Sequence, residues 1–531
     1  MGRSRIAVIL ENMELARWQT DALRALAPDH DLVICNCLNG HGSPRRAKHA
    51  LYYLLNLWAI RNLQTRRVAF PSDLRPIAQF DFEPTVSGQW QGLPPQLLER
   101  LHGEKPLAIV KFGMGLLSVP TGLNMPILSY HHGDPRHFRG RPAGFYELHN
   151  GAERLGQVVQ ILTNDLDAGA VVAFAETKIH PHSYRATLVE AYRASPLLLR
   201  SAIATALAGD STIFPKGSLY RLPSNGTVLS FALARLWQAA KRLGYGAFVE
   251  KRWQIAEADA PSGTWPEQLR EFPPANRWEV YPTPKGFRFI ADPFFDPEGG
   301  ILAEGLDSGS GRGAILRLND GVATRLMSSA DHFSYPAAIT VEGNHYLIPE
   351  IAESDRVRLF KLGPDGTQEV SEFSVDGSPR LVDPTLFEHG GAFYLFANRL
   401  EEGNGILRLW VGKRLVGPFR EHPQSPVRIS PAGSRMAGAV IADGTALFRV
   451  GQDFSRRYGD GLLLFEIKSL SPNDYSEMER SSLKFDEVRG PHTVNVRDGK
   501  LLFDFYRESL SLFAGWHRFR VLLATRWRRD A

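Results

Sequence analysis

The hydrophobic pattern of the first part of the chain alternates between short apolar runs and stretches of helical period. Arg5–Leu10 and Asp31–Cys37 have the length and apolar content of buried strands, and Met13–Leu26 between them has the period of an amphipathic helix. A further buried strand is predicted at Pro106–Phe112. Strands that alternate with helices in this way predict a doubly wound, Rossmann-like α/β domain, which we assign to residues 1–208.

The second half of the chain has few helical periods and many short strands. Five segments share a polar or proline entry, a short apolar strand, a glycine-centred turn and a second apolar strand; they begin at Asp292, Tyr335, Asp383, Ala437 and Pro491. Their starts lie about one propeller blade apart. A two-sheet sandwich is the structural alternative, but a sandwich would not repeat its signature in this way. The repeat predicts an all-β five-bladed propeller over residues 248–531, with the strand at 251–256 pairing with the last blade.

Residues 209–247 form a predicted connector between these two regions. They include an amphipathic helix, Val228–Leu243, that carries Trp237, Lys241 and Arg242. A basic amphipathic helix can lie on a membrane surface. A helix that docks one domain onto the next is the simpler interpretation, and the sequence alone favours it.

Composition and charge narrow the class of protein. The chain has 531 residues, of which 43% are hydrophobic and 22% charged, as in a soluble globular protein with two or three domains. A net charge of +5 is small for this length and argues against nucleic acid as a partner. Cys35 and Cys37 are too close for a strain-free disulfide and too few for a thiolate zinc site, so we expect no metal and a cytoplasmic location. No stretch has the length and apolar content of an integral membrane segment.

Polar clusters follow two apolar runs of the predicted α/β domain. His131 follows the run that ends at Leu128, and Asp167 follows the run that ends at Leu162. Open α/β sheets place their chemistry at the carboxyl ends of strands. The two residues therefore form a candidate acid–base pair, in which the carboxylate orients and stabilises the imidazolium. A strand-end histidine with a structural role is the alternative.

The same stretch resembles the catalytic core of the formyltransferases that use 10-formyltetrahydrofolate. The resemblance is carried, at the family spacing and without gaps, by Ser129-Tyr130-His131, Phe138-Arg139-Gly140, Asn150-Gly151 and Leu166-Asp167-Ala168-Gly169. It implies that His131 and Asp167 are catalytic and that Ser129 stands where the family has an asparagine that stabilises the oxyanion. It also implies that 10-formyltetrahydrofolate is a co-substrate, contacted by Phe112, Gly113, Gly115, Asn164 and Asp165.

A formyltransferase of this kind would move a formyl group to the amine of an amino sugar or a related glycan precursor, which is the expected small-molecule partner. Loss of one oxyanion donor typically lowers the rate ~100- to 1000-fold, so the serine at position 129 opens an alternative. In that alternative, a weakened formyltransferase-like domain accompanies a carbohydrate-active propeller enzyme or a glycan-binding protein. Formylation of tRNA is disfavoured, because the propeller replaces the family's tRNA-reading barrel.

The repeat region resembles the N-terminal domain of glucosamine inositolphosphorylceramide transferases. The matching residues include His332-Phe-Ser-Tyr-Pro336, Asp383-Pro384 and Gly451-Gln452-Asp453, and Ala291-Asp292-Pro293 more distantly resembles the first-blade aspartate of five-bladed glycosidases. The inner strands of a propeller start near its axis, so the repeat predicts substrate contacts by Asp292, Tyr335, Asp383, Arg435 and His492. Glycoside hydrolysis needs two carboxyl groups at a defined separation, and the sparse acidic set leaves hydrolysis, sugar transfer and sugar binding open. The oligomeric state is open as well.

Overall fold

A computed structural model of the chain describes residues 3–38, 46–263, 265, 267–329, 331–516 and 518. They fall into two units, Met1–Ala240 and Lys241–Ala531. The domain limits predicted at residues 208 and 247 stay predictions.

The first unit alternates strands and helices. In chain order its elements are β1 (Ser4–Glu11), β2 (Glu14–Ala16), α1 (Arg17–Leu26), β3 (His30–Cys37), α2 (Ala50–Ala59), β4 (Arg67–Ala69), β5 (Ala78–Phe82), β6 (Thr85–Ser87), β7 (Trp90–Gly92), α3 (Pro95–Glu104), β8 (Ala108–Lys111), β9 (Leu116–Leu117), β10 (Ile127–His131), β11 (Phe138–Gly140), α4 (Phe145–His149), β12 (Arg154–Ile161), β13 (Val171–Lys178), α5 (Tyr184–Ala194), α6 (Leu198–Leu207), β14 (Ser218–Tyr220) and α7 (Asn225–Phe248), which ends in the second unit.

A mostly parallel sheet forms the centre of the first unit. Its strands lie in the order β13-β12-β10-β8-β1-β3-β5, and β2 and β4 pair on from the end of β1. The five strands from β10 to β5 in this order are parallel, whereas β12 and β13 are antiparallel at one edge. Ile6 to Leu10 in β1 have no exposed surface, because a parallel strand is covered on both faces. The α/β fold predicted for this part of the chain is confirmed.

The helix predicted over Met13–Leu26 begins later than expected. Asn12 and Met13 have φ angles of 53° and 51°, so the chain turns directly after β1. Glu14–Ala16 then pairs with β1 and with β4 as strand β2, and the helix begins at Arg17. Pairing with a distant strand has therefore overridden the helical period of these residues.

The second unit consists almost entirely of strands. In chain order its elements are β15 (Val249–Asp259), α8 (Glu267–Arg270), β16 (Glu279–Val280), β17 (Phe287–Phe295), β18 (Ile301–Asp307), β19 (Gly313–Asn319), β20 (Val322–Met327), β21 (Phe333–Val341), β22 (Asn344–Ile351), β23 (Phe360–Gly363), β24 (Gly366–Glu369), β25 (Leu381–His389), β26 (Ala392–Arg399), β27 (Ile406–Gly412), β28 (Arg420–Glu421), β29 (Arg428–Ile429), β30 (Ala432–Met436), β31 (Ile441–Asp443), β32 (Ala446–Asp453), β33 (Leu462–Leu470), β34 (Tyr475–Leu483), β35 (Val494–Arg497) and β36 (Lys500–Leu510).

These strands form five separate antiparallel sheets. Four sheets use consecutive strands, namely β17–β20, β21–β24, β25–β29 and β30–β34. The fifth joins β15 and β16 from the start of the unit to β35 and β36 from its end. β15 and β36 pair from Val249 opposite Leu510 to Asp259 opposite Lys500, so the strand expected at 251–256 does pair with the last strand of the described chain. Strand pairing establishes five separate sheets. A propeller further requires that the five sheets surround one axis, and the propeller stays a prediction.

Apolar packing continues from sheet to sheet. One buried cluster includes Phe294 of β17, Leu347 of β22, Phe396 of β26 and Met436 of β30. A single contiguous core across four sheets requires that neighbouring sheets pack against each other. The longest helix, α7, has 24 residues, and none of the helices in the described ranges is long and apolar enough to cross a membrane.

Candidate functional site

The first unit brings together the histidine and the aspartate that the sequence singles out. His131 is the last residue of β10, and Asp167 lies in the loop between β12 and β13. The two atoms His131 Nδ1 and Asp167 Oδ1 are 3.4 Å apart. Asp167 has a φ of 47°, and its Oδ2 accepts a hydrogen bond of 2.9 Å from the Gly140 amide. Gly140 itself has a φ of 88°, and a Cβ there would meet the Tyr220 carbonyl oxygen at 2.1 Å.

Both ring nitrogens of His131 have internal partners. Nε2 lies 2.9 Å from the Phe138 carbonyl oxygen, and Nδ1 faces Asp167. Only 7% of His131 is exposed, and Ser129 on the same strand is 9% exposed. A general base must offer a nitrogen to the substrate, so one of these contacts would have to open before His131 could act. The catalytic roles of His131, Asp167 and Ser129 stay predictions.

A half-buried lysine at the same sheet edge is absent from the sequence-predicted site. Lys111 ends β8 and lies opposite Ser129 in the strand register. Burial lowers the pKa of Lys111, and the charges of Glu11 and Asp167 oppose that shift. Its ammonium group donates to the Met114 carbonyl oxygen at 3.3 Å. The available signal was a lysine that directly follows an apolar run.

The turn at residues 112–115, which was predicted to contact folate, forms hydrogen bonds with other residues of the first unit. The amides of Phe112 and Gly113 donate to the Ile9 carbonyl oxygen at 3.0 and 2.8 Å. The Gly115 amide donates to Gln91 Oε1 at 2.6 Å. A ligand at this turn would therefore find these three backbone donors already occupied.

The two other residues predicted to contact folate are also engaged. Asn164 Oδ1 accepts a hydrogen bond of 2.8 Å from the Val119 amide, and Asp165 forms ion pairs with Arg139 and Lys216. All five predicted positions thus have a backbone or side-chain group engaged in a hydrogen bond or an ion pair within the unit. Involvement of 10-formyltetrahydrofolate stays a prediction.

In the second unit, the first strands of three sheets share one backbone irregularity. Asp292 in β17, Tyr335 in β21 and Asp383 in β25 have φ angles of 49°, 47° and 48°, and each precedes a proline. The strand register shifts at the same points. Such bulges redirect a side chain, and the positive φ of a non-glycine residue costs of order 1–3 kcal/mol. Proline suits the position because it has no N–H for the bulge to leave unpaired.

Asp383 and Arg435 form a buried, bidentate ion pair. Arg435 Nε and Nη2 donate to the two carboxylate oxygens of Asp383 at 2.6 and 2.8 Å, and Gln452 Nε2 donates to the same carboxylate at 2.9 Å. Only 2% of Asp383 is exposed. The Arg435 guanidinium also lies 5.4 Å from the centroid of the Tyr458 ring. The pair joins β25 to β30 and thus connects two sheets.

Glu350 lies beside this ion pair and is missing from the sequence-predicted set. Its Oε2 accepts a hydrogen bond of 3.1 Å from the Asp383 amide and is 3.8 Å from Arg435 Nη2. Burial raises the pKa of Glu350 to about 8; Asp383 adds to the rise, and Arg435 opposes it. A carboxyl group that keeps its proton near neutral pH has the property required of a general acid. The signal in the sequence was an acidic residue within the apolar strand β22.

Asp292 faces a histidine that lies between two carboxylates. His492 Nδ1 is 2.5 Å from Asp504 Oδ2 and 3.6 Å from Asp292 Oδ1, which also accepts a hydrogen bond from the Thr493 hydroxyl. Burial alone would lower the pKa of His492, but Asp504 and Asp292 raise it to about 9. Burial raises the pKa of Asp292 to about 7, against the opposing effect of the His492 charge. The Trp253 ring stacks on His492 with a centroid distance of 4.0 Å.

Among the described residues of this unit, Asp292, His492 and Asp504 are also the group best placed to hold a metal ion. One potential ligand atom from each lies within 4.8 Å of the others. Carboxylates and imidazole are ordinary ligands of divalent metals. In the present arrangement His492 Nδ1 contacts Asp504, so a metal would have to displace the proton of that contact. The sequence-based expectation of no metal stays a prediction.

Tyr335 is positioned differently from the charged residues of the site. It has no exposed surface, and its hydroxyl contacts Thr385 Oγ1 at 3.0 Å and accepts from the Gly438 amide at 2.9 Å. The geometry favours a role in joining sheets over the predicted contact with substrate. Tyr458, which is 39% exposed and 5.3 Å from the His492 ring, is the better placed aromatic residue.

Sequence comparisons match the second unit to one family. Residues 319–501 match the family described as "Glucosamine inositolphosphorylceramide transferase 1, N-terminal". The protein named glucosamine inositolphosphorylceramide transferase 1 from Oryza sativa subsp. japonica is 29% identical over 215 residues, which cover 37% of this chain and 29% of that protein. The protein of the same name from Arabidopsis thaliana is 26% identical over 207 residues, which cover 36% of this chain and 27% of that protein. The chain thus matches less than a third of the length of these relatives.

Solved structures are similar to this chain only at low scores. A sugar N-formyltransferase from Shewanella sp. FDAARGOS_354 is 11% identical, covers 44% of this chain and 87% of its own, and has a TM-score of 0.28. An exo-β-1,3-galactanase from Clostridium thermocellum is 14% identical, covers 38% of this chain and 53% of its own, and has a TM-score of 0.29. Scores of this size carry no argument about either unit.

The predicted formyl transfer is wrong. The relatives that match in sequence are named for glucosamine, inositolphosphorylceramide and a transferase, and none of these names describes a formyl group. The prediction depended on short motifs around His131 and Asp167. Their spacing brings a histidine and a carboxylate together at a sheet edge, but it does not specify the reaction.

Proposed function

We propose that the second unit is a five-bladed propeller and the carbohydrate-active part of an enzyme that transfers a sugar. Its substrate class is an amino-sugar-containing glycan or glycolipid precursor. The saccharide site lies where the first strands of the sheets meet, around Asp292, Glu350 and Asp383. The names of the relatives suggest both the sugar and the transferase class, and this chain's own geometry supplies the chemical groups.

Contacts between successive sheets support a closed ring. Phe294 of the β17 sheet packs against Tyr335 of the β21 sheet with ring centroids 5.0 Å apart, and the Tyr335 hydroxyl reaches Thr385 of the β25 sheet. Asp383 and Arg435 join the β25 and β30 sheets. A ring of five sheets needs two further contacts.

Asn495 of β35 supplies both of them. Its Oδ1 accepts from the Ala439 amide, directly after β30, at 2.8 Å, and its Nδ2 donates to the Pro293 carbonyl oxygen of β17 at 2.7 Å. Every sheet is thus linked to the next, and the last is linked to the first. This is the connectivity that a five-bladed propeller requires.

The observation that carries the proposed chemistry is a carboxyl group with a raised pKa, Glu350, in the same unit as a carboxyl group, Asp292, that lies beside the charge of His492. Enzymes that cleave a glycosidic bond with two carboxyl groups use one protonated and one ionised group, and we assign the same division of roles to sugar transfer here. Glu350 is the candidate acid, because burial and the neighbouring Asp383 keep its proton in place. Asp292 is the candidate carboxylate, because the His492 charge and the Thr493 hydroxyl both favour its ionised form.

Two variants test this assignment. Glu350→Gln and Asp292→Asn keep the size of the side chain and remove the ionisable group, so each should lower turnover ~100-fold or more. The purified chain would be incubated with nucleotide-activated amino sugars and an inositol-phosphate acceptor, and the products identified by mass spectrometry. Glu388→Gln is the matched control, since Glu388 lies exposed on the same strand as Asp383.

Wild-type turnover that both variants retain would contradict the proposal. Saccharide binding without turnover is a second candidate function. The bidentate ion pair with Arg435 favours it, because Asp383 is then not available as an acidic group for catalysis. Calorimetric titration of the wild type with an amino sugar, in an assay that detects no product, would favour this second function.

A further inference from the structure

Helix α2 of the first unit exposes an apolar face. Leu51, Leu54, Leu57 and Trp58 lie on one side of the helix and are 38–65% exposed. Leu63, just after the helix, is 56% exposed. Residues three and four positions apart share a helix face, so these side chains form one stripe. The stripe contains no charged residue.

Helix α7 exposes a second apolar stripe. Leu229, Leu233, Leu236 and Trp237 are 57–67% exposed. Their spacing places them on one side of the helix, and the opposite side carries Val228 and Phe231, which are buried. The helix is therefore apolar both towards the core and towards the outside.

The two helices are tied together at their first turns. His49 Nδ1 lies 2.8 Å from the Pro223 carbonyl oxygen. Asn225 Oδ1 accepts from the Leu51 amide at 3.0 Å, and Asn225 Nδ2 donates to the Ala47 carbonyl oxygen at 3.1 Å. The exposed residues of α2 and of α7 up to Trp237, together with Leu63, are called the α2–α7 face below.

A basic cavity adjoins this face where α2 ends. It has a volume of about 730 Å³ and is lined by Arg61, Asn62, Leu63, Thr65, Arg66, Arg67 and Arg185. Arg185 is anchored to the carbonyl oxygens of Trp58 and Arg61, and Arg67 lies 3.9 Å from Glu14. Arg61 and Arg66 form no ion pair with a residue in the described ranges. Leu63 belongs to both the cavity and the face, so the apolar and the cationic groups are contiguous.

The surrounding sequence has only positive charge. Residues 41–70 and 211–249 contain eleven Lys and Arg and no Asp or Glu, in a chain whose total charge is +5. Two copies of a cationic surface repel each other, which disfavours a second copy of this chain as the occupant. Exposed leucines, tryptophans and unpaired arginines are together complementary to an anionic lipid surface.

We infer that the α2–α7 face docks onto an anionic phospholipid bilayer. The leucines and tryptophans enter the boundary between headgroups and acyl chains, and the cavity around Arg61 and Arg66 takes a headgroup phosphate. The inference is independent of the saccharide site, because all of its residues belong to the first unit.

Co-flotation of the full chain with vesicles tests the inference. The chain should float with phosphatidylcholine vesicles that contain phosphatidylserine, should float less with phosphatidylcholine alone, and should be released by added salt. Leu233→Ser and Trp58→Ser should each lower the partition coefficient about tenfold. The double variant R61A/R66A should lower it roughly 25-fold on anionic vesicles, at about fivefold for each charge.

Matched controls are available in the second unit. Val322→Ser removes an equally exposed apolar residue, and Arg277→Ala removes an exposed arginine. Both should leave the partition coefficient within about twofold of wild type, and thermal unfolding would verify that every variant is folded. Absence of flotation, or equal flotation of all variants, would overturn the inference. A dimer in sedimentation experiments that Leu233→Ser abolishes would overturn it in favour of a second copy.

Discussion

Each unit of the chain holds a buried histidine beside a carboxylate, and the two pairs differ in their surroundings. In the first unit, His131 contacts Asp167 with one ring nitrogen and the Phe138 carbonyl oxygen with the other. In the second unit, His492 lies between Asp504 and Asp292. The acidic neighbours outweigh the burial of His492 and raise its pKa to about 9.

The surroundings of the two histidines differ because the second unit has more acidic groups around its histidine. In the first unit, Asp167 lies near Lys111, and the charges of Glu11 and Asp167 oppose the lowering of the lysine pKa by burial. In the second unit, the charges of Glu304, Asp504 and Asp383 add to the rise in the pKa of Asp292 that burial causes, and His492 offsets it only in part. A histidine–aspartate contact is therefore weak evidence of a catalytic site. A buried excess of negative charge raises the pKa values of the groups around it, and strongly shifted pKa values are frequent at functional sites.

The largest expected effect comes from breaking the buried ion pair of the second unit. Arg435→Leu leaves the Asp383 carboxylate buried with Gln452 as its remaining side-chain donor, which should lower the free energy of unfolding by about 3–5 kcal/mol. Urea unfolding measures the loss. Arg325→Leu is the control, because Arg325 pairs with Asp307 at the surface and should cost no more than about 1 kcal/mol. A loss below about 1 kcal/mol for Arg435→Leu would contradict the argument.

The raised pKa of Glu350 predicts that stability falls as the pH rises from about 4.5 to about 8. The pKa of the Glu350 carboxyl group is 4.5 in the unfolded chain and about 8 in the folded protein. Between these two pH values the folded state therefore binds more protons than the unfolded state. The contribution of Glu350 is fully present below about pH 4.5 and is lost as pH rises through about 8, by about 1–3 kcal/mol. His492 acts in the same direction, between pH 6.5 and about 9.

Calorimetric melting from pH 5 to pH 9 tests this dependence. Glu350→Gln should flatten the decline, because the amide does not titrate, whereas the exposed Glu388→Gln should leave it unchanged. A Glu350→Gln protein whose melting temperature falls as steeply as that of the wild type would show that another group is responsible.

A smaller effect is expected for Lys111 in the first unit. Glu11→Gln removes a charge that opposes the effect of burial, so the pKa of Lys111 should fall further. The amide can still accept the hydrogen bond that Glu11 Oε1 receives from the Met114 amide. NMR titration of the methylated lysine measures the pKa, with Glu14→Gln as the control. An unchanged pKa would mean that Glu11 is not the compensating charge.

The smallest effect is expected for the loss of His131, which belongs to the first unit. His131→Ala should leave saccharide affinity within about twofold of wild type, because the proposed saccharide residues all belong to the second unit. Titration calorimetry with an amino sugar that the wild type binds measures this affinity. A tenfold loss would connect the first unit to the saccharide site and would weaken the separation of roles.

Several features could be predicted from the sequence because they depend on local pattern. The apolar run at Ile6–Leu10 predicted a buried strand, and the repeated glycine turns predicted the paired strands of the second unit. The bulges at Asp292, Tyr335 and Asp383 were not predicted, although each of these residues precedes a proline, which suits a position with no ladder hydrogen bond. The same local method failed at Glu14–Ala16, where pairing with a distant strand replaced the predicted helical turn.

The sequence by itself thus determined the two kinds of region, the five repeats and the candidate aspartates. The tertiary structure decided which side chains meet: Trp253 stacks on His492, Glu350 lies beside Asp383, and Asn495 links two sheets. It also decided that the first turns of α2 and α7 are joined by hydrogen bonds. These contacts connect residues that are tens to hundreds of positions apart. No local period encodes them, and pKa values depend on burial and on neighbouring charges, which exist only once the chain has folded.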